Sequence, residues 1–250
     1  MTEDNKLPAL PDQDFQRVLC VVAHPDDLEY GTSAAVAEWT DRGVEVAYLL
    51  LTKGEAGMQI PPEECARIRR GEQEAACAEV GVNSLTMLDH PDGMLVYSLD
   101  LRRDVARVIR QFKPDVVVGG GWEVEAGWGL DMADHRVAGL VTMDAIRDAD
   151  NTWVHPELAK AESLPKWGVR WLLVPSHPKP THAVAVSAGS VARAVKSLEA
   201  HKEYLAALPG HPKPSEFIPE MLAGAGKAAG VDHALAVKAF DLRGRPAGAQ

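Results

Sequence analysis

The chain has 250 residues, of which 46% are hydrophobic and 25% are charged, so it is long enough for one sizeable core and short for two full domains. Its 36 acidic residues outnumber its 26 basic residues and give a formal net charge of −10. A nucleic-acid partner is not expected, because binding to a phosphate backbone is driven by cationic side chains.

The hydrophobic pattern alternates between strand-like apolar runs and helical periodicity, as in successive βαβ units. Strands are predicted at residues 18–23, 44–52, 84–88, 115–119 and 171–174. Helices are predicted at residues 32–41, 63–80, 101–112, 135–147 and 190–208. This order predicts an α/β fold, a Rossmann-like three-layer sandwich with a mostly parallel sheet and helices on both faces.

The composition changes near residue 209 and sets the predicted domain organisation. Residues 1–208 are predicted to form one α/β domain that begins with an N-terminal arm at residues 1–14. Residues 209–250 are rich in Pro, Gly and Ala and are predicted to be a C-terminal extension. Residues 240–250 have almost nothing to bury, so we expect the last ten or so residues to be mobile.

The first 15 residues and the cysteines bear on localisation. The N-terminal segment is polar and acidic and lacks the basic start and apolar core of a signal peptide. No later apolar run approaches the length that spans a bilayer, so we expect a cytoplasmic protein without a membrane partner. Cys20, Cys65 and Cys77 show no Cys-x-x-Cys spacing, which favours free thiols over a cysteine-ligated metal.

The first predicted strand ends in three ionisable side chains, His24, Asp26 and Asp27. In open α/β sheets, ligands bind outside the carboxyl ends of the strands, so these side chains are predicted to lie in a functional crevice. Imidazole and carboxylate suit a zinc-like ion, and a catalytic zinc site has three protein ligands and an open position. His24 and one aspartate would supply two ligands. The other aspartate would be free to act as a general base in metal-assisted hydrolysis.

A third ligand is expected from residues 131–136, which follow the fourth predicted strand and a run of three glycines and which open a helix. That position lies on the same side of the sheet as His24. His135 is the candidate ligand, and the alternative is a solvent-exposed histidine at a helix start. Asp134 could be a helix N-cap.

Five segments then occur in a characteristic order. They are residues 21–27 with Glu29, residues 51–57, Arg69-x-x-Glu72, residues 88–93 and residues 133–136. In this order they resemble the PIG-L/LmbE-like family of zinc-dependent N-deacetylases, over roughly residues 17–147. The resemblance implies that His24, Asp27 and His135 bind the metal and that Asp26 is the general base. It implies removal of an acetyl or other acyl group from an N-acetylglucosamine-type amino sugar or related conjugate through a metal-activated water.

The resemblance also implies the cofactor and the substrate contacts. Zinc is the expected metal, although ferrous iron would accept the same ligands. Arg69 matches a family position that reaches the sugar, and Asp92 matches one that binds sugar hydroxyls. The alternatives are a solvated helix charge for Arg69 and a turn residue for Asp92. Asp134 is expected to contact a metal ligand without binding the metal itself. A homo-oligomer is expected because the family often assembles into oligomers.

Met132 departs from the family pattern. Many members have a histidine there that is thought to stabilise the oxyanion, and a thioether cannot donate a hydrogen bond. Loss of one such donor can cost on the order of 100-fold in rate. Either activity is low, or the metal suffices, or another donor substitutes. His182, in a strand-like segment, is the candidate substitute, and the alternative is an exposed or packed strand histidine.

Other functions remain beside the deacetylase. An amidase of a sugar-linked thiol conjugate would use the same residues. A phosphoester hydrolase is disfavoured, because Glu123 and Glu125 make the approach loop acidic and no basic phosphate cradle is evident. A non-catalytic metal- or small-molecule-binding module is compatible with Met132, but the spare carboxylate of Asp26 favours catalysis. The first strand-to-helix turn lacks Gly-x-Gly-x-x-Gly, which argues against a nucleotide-binding domain.

Overall fold

A seven-stranded sheet forms the centre of the computed structural model, which describes residues 6–126 and 129–243. The strands are β1 (Arg17–Val22), β2 (Glu45–Leu50), β3 (Ser84–Met87), β4 (Val116–Gly119), β5 (Glu125–Ala126), β6 (Gly129–Leu130), β7 (Trp171–Pro175), β8 (His182–Ala185) and β9 (Ala234–Asp241). The helices are α1 (Thr32–Asp41), α2 (Pro62–Glu79), α3 (Leu99–Phe112), α4 (Ala133–Ala149), α5 (Pro156–Lys160), α6 (Ala188–Glu199), α7 (Lys202–Ala206) and α8 (Pro214–Ala229).

The strand order is β3-β2-β1-β4-β7-β9-β8, and the first five of these strands are parallel to one another. Strand β9 is antiparallel to both of its neighbours, β7 and β8. Strands β5 and β6 form a separate antiparallel hairpin between β4 and α4. The predicted α/β fold with a mostly parallel sheet is confirmed.

The interior strand β1 is buried on both faces, as expected for a parallel strand that helices cover. Its side chains alternate between two hydrophobic clusters, because successive residues of a strand point to opposite faces. Val18 and Cys20 pack into the cluster that contains residues of α1, α6 and α8. Leu19 and Val21 pack into the cluster that contains residues of α3 and α4. Helices therefore cover both faces of the sheet.

The part of the chain after residue 208 contributes to this sheet. Helix α8 packs in the first cluster, and β9 pairs in register with β7 so that Phe240 lies opposite Leu172. The expected extension thus supplies an interior strand, which its alanine-rich sequence does not reveal. Residues 241–243, within the expected mobile tail, are described, whereas residues 244–250 lie outside the described residues.

A break in a predicted helix places one histidine in the interior. The helix predicted at residues 190–208 is interrupted, because α6 ends at Glu199 and α7 begins at Lys202. His201 lies at the interruption and is completely buried.

None of the helices in the described part of the chain has both the length and the hydrophobicity that crossing a bilayer requires.

Candidate active site

The site forms where two neighbouring parallel strands end. His24 and Asp27 follow β1, and the chain after β4 leads through the β5–β6 hairpin into α4, whose first turn contains His135. Because β1 and β4 are paired, their carboxyl ends lie side by side. The rings of His24 and His135 are consequently close, with their centroids 5.2 Å apart.

The geometry of His24, Asp27 and His135 fits a divalent metal ion. Oδ1 of Asp27 lies 3.7 Å from Nδ1 of His24 and 3.2 Å from Nε2 of His135. Tetrahedral ligands with zinc distances of 2.0–2.1 Å would be separated by about 3.3 Å. The His135 side chain is 25% exposed and that of His24 is 8% exposed, so the cluster is accessible from the His135 side. These three residues could therefore hold a metal with an open position.

Carboxylates face the remaining ring nitrogen of each histidine. Nε2 of His24 lies 3.0 Å from Oδ1 of Asp92 and 3.2 Å from Oδ2 of Asp134. Nδ1 of His135 lies 2.9 Å from Oδ1 of Asp131. Metal-binding histidines commonly donate their second N–H to a carboxylate, which fixes the tautomer and the ring orientation. This arrangement supports the assignment of Nδ1 of His24 and Nε2 of His135 as the donor atoms.

Asp134 is held by the loop that follows Asp92. Its carboxylate accepts hydrogen bonds from the backbone N–H groups of Gly93 and Leu95, at 2.8 and 3.0 Å. The residue at the N-cap of α4 is Met132, so Asp134 is not the cap. Asp131 was not singled out from the sequence. Its spacing of four residues before a histidine at a helix start is the signal that could have identified it.

Asp26 contacts helix α2 through both its side chain and its backbone. Its Oδ1 accepts a hydrogen bond from Nη2 of Arg69 at 2.6 Å, and its backbone N–H donates to Oε1 of Gln73 at 2.9 Å. Its φ of 81° lies in the left-handed region, which a non-glycine residue adopts only when its surroundings enforce it. The adjacent residues Asp26 and Asp27 therefore lie in two different environments.

Burial raises the pKa of Asp26 to about 7, although the guanidinium of Arg69 opposes the rise. A carboxylate with a pKa near 7 is suited to accept and return a proton at neutral pH. Burial also opposes the ionisation of Asp27, but hydrogen bonds from His135 and His24 hold its pKa far below the usual range. Asp27 is therefore the charged partner of the histidines, and Asp26 is the residue that can exchange a proton.

The histidine pKa values respond to these carboxylates. Burial alone would lower the pKa of His24, but hydrogen bonds to Asp27 and Asp92 outweigh it and raise the pKa to about 11. For His135, burial is likewise outweighed by the hydrogen bond to Asp27, and the pKa rises to about 9. A positive charge is thus strongly favoured at the position where a metal ion would bind.

Arg69 and Asp92 each have protein partners in the structure, and their contact with a sugar stays a prediction. Arg69 is 2% exposed, and besides Asp26 it donates to the carbonyls of Pro25 and Gly54. The Asp92 side chain is 6% exposed, and its Oδ2 accepts from the backbone N–H of Ala56. Burial and these contacts explain why neither side chain reaches towards solvent.

The expectation that His182 substitutes for an oxyanion donor is not supported. His182 begins β8 at the edge of the sheet, four strand positions from β1, which corresponds to about 19 Å at the usual strand spacing. Its ring contacts are Oγ1 of Thr181, at 3.0 Å, and the indole of Trp171. It is a packed strand histidine. Met132 is 54% exposed at the start of α4.

Residues 19–146 match the sequence profile of the PIG-L family, described as GlcNAc-PI de-N-acetylase. The chain is 36% identical over 141 residues to diacetylchitobiose deacetylase of Thermococcus kodakarensis, an alignment that covers 54% of this chain and 51% of the relative. It is 32% identical over 154 residues to 1D-myo-inositol 2-acetamido-2-deoxy-alpha-D-glucopyranoside deacetylase of Kineococcus radiotolerans, which covers 48% of this chain and 42% of the relative. The chain spans about half the length of the curated relatives it matches.

The fold also matches a solved structure over most of its length. N,N'-diacetylchitobiose deacetylase from Pyrococcus horikoshii superposes with a TM-score of 0.82 at 23% sequence identity. The superposition covers 92% of this chain and 86% of that chain. The two proteins therefore share the same fold.

Proposed function

This chain belongs to the GlcNAc-PI de-N-acetylase (PIG-L) family, and on that premise we propose that it is a metal-dependent hydrolase that removes an acetyl or related acyl group from an N-acetylglucosamine-type amino sugar or conjugate. The observation that carries the proposal is the different orientation of the two adjacent aspartates. Asp27 faces His24 and His135, whereas Asp26 faces Arg69. A binding module would need the first arrangement but not the second.

Zinc is the metal we propose, and ferrous iron would accept the same ligands. A divalent ion held by His24, Asp27 and His135 would supply an activated water and polarise the amide carbonyl. Asp131 and Asp134 would orient the two histidines through their second ring nitrogens.

In the proposed reaction, Asp26 accepts a proton from the attacking water. It then returns that proton to the nitrogen of the departing amine, and the acyl group leaves as a carboxylate. Arg69 holds the Asp26 carboxylate in one orientation through the 2.6 Å hydrogen bond. We therefore assign Arg69 a positioning role.

The relatives guide the substrate class. The two curated relatives described above are named as deacetylases of N-acetylated amino sugars. This favours an amino-sugar deacetylase over an amidase of a thiol conjugate and over a non-catalytic module. A small-molecule amino sugar is accordingly the proposed partner, and a homo-oligomer stays a prediction.

The test is amine release from a panel of N-acetylated mono- and disaccharides and an N-acetylglucosaminyl-inositol. Metal-stripped protein would be reloaded with zinc or ferrous iron, and the bound metal would be quantified. We expect Asp26→Asn to retain the metal and lose amine release, and Asp27→Asn to lose both. Asp100→Asn, at an exposed position in α3, is the matched control. Absence of amine from every sugar with loaded wild-type protein would contradict the proposed function, and full activity of Asp26→Asn would contradict the assigned base.

A further inference from the structure

Helix α7 contacts the side of the site that holds Asp26, although it lies outside residues 19–146 that match the family profile. The ring of Tyr204 covers Arg69, with the guanidinium carbon 3.8 Å from the ring centroid. One residue earlier, the backbone N–H of Glu203 donates to Oε1 of Glu72 at 2.5 Å. Helix α7 is therefore fixed against α2 at the position of Arg69.

The surroundings of Arg69 are specific and nearly closed. Nη2 donates to the carbonyl of Pro25 and to Oδ1 of Asp26, each at 2.6 Å, and Nη1 donates to the carbonyl of Gly54 at 3.3 Å. These bonds lie along the edge of the planar guanidinium, and the Tyr204 ring lies over its face. A cation over an aromatic face is bound more strongly when it is removed from water, and Arg69 is 2% exposed.

We propose that Tyr204 is a positioning residue for Asp26 that acts through Arg69. This inference rests on the proposed function, because it takes Asp26 as the general base. Without the ring, water would reach the guanidinium face, and the long Arg69 side chain would lose the contact that keeps its plane aligned with the Asp26 carboxylate. The Asp26 carboxylate would then no longer be held in one orientation.

Two expected results distinguish a positioning role of the Tyr204 ring from a role in metal binding or a role of its hydroxyl. The described contacts of Tyr204 do not include His24, Asp27 or His135, so metal binding should not depend on the ring. The contact with Arg69 uses the aromatic face, so phenylalanine should replace tyrosine. A role of the phenolic hydroxyl in the reaction would predict the opposite result for phenylalanine.

The experiment compares Tyr204→Leu with Tyr204→Phe in the zinc-loaded protein, on a sugar that the wild type deacetylates. We expect Tyr204→Leu to lower kcat about tenfold, with KM changed by less than about twofold and the bound zinc unchanged. Tyr204→Phe should restore kcat to within about twofold of the wild type. Tyr97→Leu is the matched control, since Tyr97 faces Arg102 and not Arg69.

Wild-type kcat in Tyr204→Leu, or an equally low kcat in both variants, would overturn the proposal. Crystal structures of the two variants give a readout that does not need activity. We expect Arg69 to separate from Asp26 in Tyr204→Leu and to remain bonded in Tyr204→Phe. If the wild type releases no amine, the proposed function fails, and these structures still decide the positioning role. An intact Arg69–Asp26 hydrogen bond in Tyr204→Leu would overturn it.

Discussion

Asp131 precedes His135 by about one helical turn, and its Oδ1 lies 2.9 Å from Nδ1 of the histidine. The other ring nitrogen, Nε2, lies 3.2 Å from Oδ1 of Asp27. A carboxylate at Nδ1 favours the tautomer that carries its proton there, which leaves the Nε2 lone pair available to a metal. Asp131 thus favours the His135 orientation in which Nε2 is directed towards Asp27.

Removal of this carboxylate should weaken metal binding. We expect Asp131→Ala to lower zinc affinity by roughly 10- to 100-fold, because an unsupported imidazole is both less basic and less fixed. Competition with a chromophoric chelator would measure the affinity. Asp144→Asn, which lies in α4 with His135 but bonds to Tyr97, is the control and should bind zinc as the wild type does. Equal affinities for Asp131→Ala and the wild type would show that His135 does not need this partner.

Zinc affinity should depend steeply on pH. With pKa values raised to about 11 for His24 and about 9 for His135 in the absence of metal, both histidines carry protons at pH 7 that a metal must displace. The apparent affinity should therefore fall as pH falls, by about 100-fold for each unit while two protons are released. Calorimetry in buffers with different ionisation enthalpies would count the protons. Zinc binding without proton release would contradict the histidine assignments.

The sequence predicts which residues come together at the site better than it predicts the orientation of their side chains. His24 and His135 are predicted on the same side of the sheet because parallel strands place their carboxyl ends at one edge. The burial of Arg69 and Asp92 is not predicted, because it depends on α2 and on the loop at residues 54–56, which local sequence does not specify. Strand β9 escapes prediction because its alternating alanines give a weak hydrophobic signal.

Gly139 maintains the close approach of α4 to the loop after β4. A Cβ atom there would lie 2.3 Å from the carbonyl oxygen of Gly121 and 2.8 Å from that of Gly120, and both contacts are with backbone. We expect Gly139→Ala to reduce the free energy of unfolding by about 1–3 kcal/mol, as overpacking does, and to weaken zinc binding because His135 lies one turn earlier. Urea unfolding and zinc titration would measure the two effects.

The control for this substitution is Gly224→Ala in α8, where a Cβ atom would have no neighbour within 4 Å. Alanine is favoured over glycine in a helix interior, so this variant should gain about 0.5–1 kcal/mol. A Gly139→Ala protein as stable as the Gly224→Ala protein would mean that the loop at Gly120 and Gly121 moves without cost.

His201 should make the protein sensitive to acid. Burial, with the nearby cation of Arg69, lowers the pKa of His201 to about 3, and neither of its ring nitrogens has a hydrogen-bond partner among the described residues. Oε2 of Glu29 lies 3.9 Å away, but burial raises the pKa of Glu29 to about 8, so Glu29 is neutral in acid and cannot stabilise a charged imidazole. The folded state therefore keeps His201 neutral at any pH above about 3.

In the unfolded chain His201 takes up a proton near pH 6.5, so the unfolded state binds the proton first as pH falls. The free energy of unfolding should then decrease below pH 6.5, by up to about 1.4 kcal/mol per unit from this residue, until about pH 3. His201→Leu removes this contribution. Urea unfolding of both proteins would be measured at pH 7.5, 6.5, 5.5 and 4.5. The free energy of unfolding of the variant should rise relative to that of the wild type as pH falls, because the remaining titratable groups are the same in both proteins. Parallel stability curves over this range would mean that water or a rearrangement solvates the imidazolium in the folded state.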